Sequence, residues 1–215
     1  MDYKFEKLFL KSFKKSLKSL DESELLGMVE ILSDIKNNGG RIFFIGNGGS
    51  AANCSHAVND FRKITNIECY SISDNVAELT ARTNDEGFDT VFVEWLKTSK
   101  LNSNDALFVL SVGGGNKEKS ISTNIVRAID YAKEKNAMIF GIVGKDGGYT
   151  FEKGYAVINV ATYEDSLITP VVESMQSLIL HYIVSHPRLK ENQTKWEETD
   201  EQTFLLDIIE NGFKK

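Results

Sequence analysis

The stretch Arg41 to Arg62, RIFFIGNGGSAANCSHAVNDFR, restricts the fold more than any other part of this chain. Its opening apolar run, Ile42 to Ile45, has the length and β-rich make-up of a buried strand. Gly46-Asn47-Gly48-Gly49-Ser50 then turns the chain, and from Ala51 the apolar spacing predicts a helix. Strand, glycine turn, helix is the arrangement that aims backbone N–H groups and a positive helix end at an anion. Without a Cβ, the glycines let the main chain approach that anion closely, and Ser50 adds a hydroxyl donor. His56 and Asp60 are four residues apart and share one helix face.

The unit recurs. Asp105 to Val112 reads as a strand running into Gly113-Gly114-Gly115-Asn116, followed by a helix carrying Ile125, Ala128, Ile129 and Ala132. Further strands are expected at Ile67–Ile72, Ala137–Val143 and Tyr155–Ala161, and Pro170 opens a helix through Val184 that Pro187 ends. Such alternation predicts an α/β fold: three-layer α/β/α with a five-stranded parallel sheet, preceded by two N-terminal helices. Carboxyl ends of parallel strands share one edge, so the turns after two of them would face one crevice. The bland alternative is that each turn is merely a tight connection. Neither Gly46–Gly49 nor Gly144–Gly148 has the spacing of a dinucleotide fingerprint or a P-loop, so no nucleotide cofactor is expected.

Phe5, Leu8, Phe9, Phe13, Leu17 and Leu20 recur at helical spacing with lysines between them. This basic amphipathic helix suits a membrane surface or partner, but packing on its own domain or a sister subunit is the favoured reading. Asp21-x-x-Glu24 looks like a capping box for a second helix, which Gly39-Gly40 stop. Asp74 or Asn75 is expected to cap the next helix, Thr83–Gly87 to form a polar turn, and a helical pattern to run from Phe88 to Leu96. We read residues 1–187 as one domain and 188–215 as a C-terminal extension, solvated over 188–200, with a last short helix at Phe204–Ile209.

A net charge of -6 argues against a nucleic-acid binder. Cys54 and Cys69 fit neither a disulfide framework nor a metal knuckle and read as buried small hydrophobes. No apolar run reaches the roughly 18 residues of a membrane span, and no signal peptide is visible, so no membrane is expected and a cytoplasmic location is.

Strand, GNGGS, His-x-x-x-acid, then Asn84-Asp85-x-Gly87 and a serine before a glycine turn together resemble the SIS (sugar isomerase) domain, a Rossmann-like fold, and within it the phosphoheptose isomerases. The similarity runs from the first helices to about Pro187. It implies substrate contacts from Asn47, Gly48, Gly49, Ser50, Asn84, Asp85, Ser111, Gly113, Gly114, Gly115 and Asn116. The family's Ser-Thr-Ser-Gly-Asn-Ser phosphate loop stands here as Ser111-Val112-Gly113-Gly114-Gly115-Asn116, with two hydroxyl donors gone and glycine amides left to form an anion nest. The family's acid–base pair, a Glu and a His, falls on Asp60 and His181, and a family Gln falls on Glu173.

The activity so implied is aldose–ketose isomerisation of a sugar phosphate, sedoheptulose 7-phosphate to its heptose aldose, through an enediol. His181 is then the principal base, with Asp60 as partner and Glu173 sharing the role; His186 reads as structural. His56, Asp60, Glu173 and His181 also make a set that could hold Zn²⁺. A homotetramer with sites shared between subunits is implied. The competing expectation is a non-catalytic sugar-phosphate sensor or scaffold of the same fold.

Overall fold

The computed structural model describes residues 3–194, so the expected helix at Phe204–Ile209 lies outside the described residues. Helices α1 (Lys4–Lys18) and α2 (Glu22–Asn37) precede the sheet, as their apolar spacing predicts. Asp21 caps α2, its carboxylate accepting from Ser23 N at 2.7 Å.

The strands are β1 (Ile42–Gly46), β2 (Cys69–Ser71), β3 (Ala106–Ser111), β4 (Met138–Gly144) and β5 (Ala156–Val160). They form one sheet in the order β2-β1-β3-β4-β5, every pairing parallel. The order reverses between β1 and β3, which brings the glycine turns after these two strands side by side at the same edge. That reversal is where open parallel sheets place their ligands.

Connecting helices are α3 (Gly49–Thr65), α4 (Val76–Glu86), α5 (Val91–Thr98), α6 (Thr123–Glu134), α7 (Gly148–Lys153) and α8 (Ile168–Ser185). Strand residues alternate between two covered faces. Ile42, Phe44, Phe108 and Phe140 pack with α2, α3 and α8, while Phe43, Ile45, Leu107 and Val109 pack with α5 and α6. Phe44, Phe108 and Phe140 form a ring row at 5.1 and 5.8 Å between centroids, met by Phe61 of α3 at 5.2 Å. Each such ring, fully buried, contributes about 1.5–3 kcal/mol, and the row fixes α3 against the sheet. At the opposite edge Asp105, 2% exposed, accepts from Arg41 Nη2 (2.7 Å) and from Asn102 N (3.0 Å), tying the starts of β1 and β3.

Several expectations are corrected. Helix α3 begins at Gly49 rather than Ala51, because the Gly48 carbonyl already accepts from Ala51 N and Ala52 N. Thr83–Glu86 is no turn but the end of α4, which Asn75 caps through Glu78 N (3.1 Å). The next helix starts at Val91, not Phe88. Short α7, after the Gly144–Gly148 turn, had no apolar period to announce it. Leu189 is fully buried and Glu191 N and Asn192 N donate to Ile64 O, so the chain past Pro187 is pinned to the domain at these points, while Arg188, Glu191, Asn192 and Gln193 are exposed. By length and composition alone Asp165–Ser185 could cross a bilayer, but half of its most apolar 18-residue window is buried inside the domain, as in a core helix.

Candidate active site

The turn after β1 is shaped by close approaches. A Cβ on Gly46 would sit 2.8 Å from Leu110 O, and Gly48 has φ +61°, the left-handed region that glycine adopts freely. Gly49 has a different reason: a Cβ there would run into the carboxylate of Glu173. Glu173 reaches this place because α8 is clamped to α3. Asn53 Nδ2 donates to Glu173 O (2.9 Å) and to Gln176 Oε1 (3.0 Å), and fully buried Gln176 reaches Ile142 O (3.4 Å). The positive end of α3 therefore carries a carboxylate from within the chain.

Two turns along α3, His56 meets α8 again. His56 Nε2 lies 2.9 Å from His181 Nε2 and 3.2 Å from Asp60 Oδ2, and the two imidazoles stack at 5.0 Å. One ligand atom from each of His56, Asp60 and His181 falls within 4.8 Å of the other two. Three lone-pair donors at one point suit a proton shared among them or a metal ion; two imidazoles and a carboxylate with a free side match the donor set of a catalytic zinc site. Among the described residues the cluster has these three members, and Glu173 stands apart from it, against Gly49. The His56 side chain is 45% exposed, that of Asp60 15%.

The turn after β3 is built from backbone. Gly114 N donates to Ser111 Oγ (3.0 Å), and Asn116 N to Ile121 O (2.9 Å). One glycine amide expected in an anion nest, that of Gly114, is thus engaged within the loop, and the nest is narrower than the sequence implies. Asn47 is joined to Asn124 of α6 by a reciprocal pair of amide hydrogen bonds (3.2 and 2.9 Å), which links the two turns. Asn124 is 2% exposed, and sequence reasoning missed it. Its signal was a polar residue four before Ala128, on the apolar face of α6.

Asn84 and Asp85 are exposed at the end of α4 and hydrogen-bonded to each other (2.7 Å); among the described residues neither bonds to the rest of the set. Burial raises the pKa of both thiols, that of Cys69 to about 12, so neither is a thiolate at neutral pH. His186 follows α8 and accepts from Arg188 N (3.2 Å), and partial burial lowers its pKa, as a structural histidine would show.

Residues 8–144 match the SIS domain family. The chain belongs to that family. Its similarity extends to curated isomerases: phosphoheptose isomerase of Helicobacter pylori strain P12 is 30% identical over 177 residues, 80% of this chain and 86% of that protein. LmbN, a lincomycin biosynthesis protein of Streptomyces lincolnensis, is 32% identical over 168 residues; the match covers 73% of this chain but 59% of LmbN. Among solved structures, phosphoheptose isomerase from Neisseria gonorrhoeae superposes with a TM-score of 0.69 at 23% identity, covering 81% of this chain and 90% of that one. This SIS protein falls in the phosphoheptose isomerase group.

Proposed function

We propose that this isomerase interconverts the ketose and aldose forms of a sugar phosphate, with sedoheptulose 7-phosphate as the substrate to test first. One observation supports the chemistry above others: α3 and α8 bring His56, Asp60 and His181 to a single point, two helical turns along α3 from the turn after β1. Isomerisation needs a proton taken from the carbon beside the carbonyl, an enediol, and a proton returned to the neighbouring carbon. His181 Nε2 takes and returns the carbon proton. Asp60 moves the hydroxyl proton between the two oxygens, and His56 fixes the orientation of both. No electron leaves the sugar, so the step balances without a redox partner.

Glu173 sets the direction of the substrate. A phosphate placed on the N-terminus of α3 would face that carboxylate, so the polyol end lies there and the phosphate meets the loop after β3, with Ser111 and the Gly113–Asn116 segment. Asn47 and Gly48 line the polyol side, whereas Ser50, which the resemblance put with them, is 1% exposed and closed off from it. His56, Asp60 and His181 would hold Zn²⁺, which when bound polarises the substrate oxygens. His181 Nε2 cannot bind a metal and carry a proton together; in a metal-holding site the carboxylate left to act as base is Glu173.

The protein works in the cytoplasm as a homotetramer whose subunits complete one another's sites. Support comes from what one chain leaves open: α4 has no buried residue although it carries Asn84 and Asp85, and Phe5, Leu10 and Leu17 of α1 are 62%, 68% and 50% exposed.

The test is incubation with sedoheptulose 7-phosphate in D₂O, followed by NMR of C1 and C2, with and without added Zn²⁺. Deuterium at those carbons supports the isomerase. Tight binding without exchange would instead make the protein a sugar-phosphate sensor.

A further inference from the structure

The glycine loop after β3 is held from behind by α7. The Gly114 carbonyl accepts from both Thr150 N (2.9 Å) and Thr150 Oγ1 (2.7 Å), and the Gly115 carbonyl accepts from Tyr149 N (2.8 Å). With its N–H on Ser111 Oγ, Gly114 is fixed at both ends. A Cβ on Gly114 would overlap the Gly147 carbonyl, and one on Gly148 would overlap the carbonyls of Gly113 and Gly115, so the two turns touch backbone to backbone. Thr150 is fully buried. Tyr149 is anchored in turn: its hydroxyl donates to Asp130 Oδ1 (2.5 Å), and the ammonium groups of Lys117 and Lys153 lie 5.6 and 5.5 Å from its ring centre.

In a trans peptide the C=O and N–H point in opposite directions. Holding the Gly114 carbonyl on Thr150 therefore turns the Gly115 N–H away from α7. We propose that Thr150 is a positioning residue, which fixes the three-glycine loop in its anion-binding shape before substrate arrives, with Tyr149 supporting it. This rests on the reading that the loop meets the substrate phosphate. It assigns a role to the Gly147–Thr150 turn, for which the sequence offered none. A donor set already oriented loses no ordering entropy on binding.

The experiment compares wild type, Thr150→Val, Thr150→Ser and Tyr149→Phe. Calorimetric titration with inorganic phosphate probes the loop directly, kinetics with sedoheptulose 7-phosphate separate KM from kcat, and thermal melting reports the fold. Thr150→Val keeps the volume and the N–H but loses the hydroxyl. It is expected to weaken phosphate binding and raise KM about tenfold, the loss of one buried hydrogen bond, with kcat within about twofold of wild type. Thr150→Ser restores both, and Tyr149→Phe raises KM about two- to threefold. A folded Thr150→Val with unchanged phosphate affinity and KM overturns the proposal, whatever its melting temperature. If that variant does not fold, Tyr149→Phe decides, and unchanged affinity there overturns it. Wild type that binds neither phosphate nor the sugar phosphate overturns the isomerase reading and this inference together; wild type that binds both, with unaltered variants, overturns this inference alone.

Discussion

The glycine turns after β1 and β3 occupy equivalent places in neighbouring strand–turn–helix units, yet glycine is needed in them for different reasons. At Gly49 the missing Cβ leaves room for a side chain, the Glu173 carboxylate. At Gly114 it leaves room for another main chain, the carbonyl of Gly147. The first turn is followed, along α3, by His56 and Asp60 and so borders groups that can move protons. The second is immobilised by Ser111, Thr150 and Tyr149. One turn serves reactivity and the other rigidity, although as sequence they look alike.

Substitutions on the two sides should separate these roles. The largest effect is expected from His181→Ala, which lowers kcat by on the order of 10³-fold, within the range of general acid–base contributions. Its melting temperature should stay close to wild type, because the imidazole is exposed. On the β3 side the sign of the split reverses. Gly114→Ala sets a Cβ against backbone at φ +67° and should cost about 4 kcal/mol in chemical denaturation, enough to prevent folding in a marginal domain. Gly48→Ala, at φ +61° with open space around it, should cost only about 1–2 kcal/mol.

Gly49→Ala sharpens the contrast further. The clashing group is the end of a flexible carboxylate side chain, so stability should fall by about 1 kcal/mol while kcat drops as Glu173 swings away. A loss as large as that of Gly114→Ala would erase the distinction between the turns. The smallest effect concerns the other histidine of this region. Burial holds the folded pKa of His186 below its ordinary 6.5, so its protonation opposes folding. Its contribution is present above pH 6.5 and lost as pH falls through the folded value. The melting-temperature difference between wild type and His186→Gln should shrink on that descent and be flat above it.

Much of the fold was legible because its signals are local. Strand runs such as Ile42–Ile45 and caps such as Asp21 and Asn75 depend on neighbours a few residues away. The His56–Asp60 pair was legible for the same reason, being one helical turn apart, and His181 through the resemblance to a known family. What escaped notice spans the sheet. Asn47 finds Asn124 across 77 positions, and Thr150 finds Gly114 across 36. Those contacts follow from the strand order β2-β1-β3-β4-β5, which no periodicity encodes. The place of Glu173 escaped likewise: helical spacing puts it along one flank of α8 with His181, but only the Asn53–Gln176 clamp decides that its carboxylate lies on Gly49 instead of in the histidine cluster.

Which end of the sugar meets which turn decides the roles of both. A crystal structure of the protein soaked with sedoheptulose 7-phosphate, neighbouring subunits included, reads this directly. It should show C1 and C2 within hydrogen-bonding range of His181 and Asp60, with the phosphate on the loop of Ser111 and Gly115. Phosphate seated on the N-terminus of α3, or a sugar bound away from the His56–Asp60–His181 cluster, would contradict it.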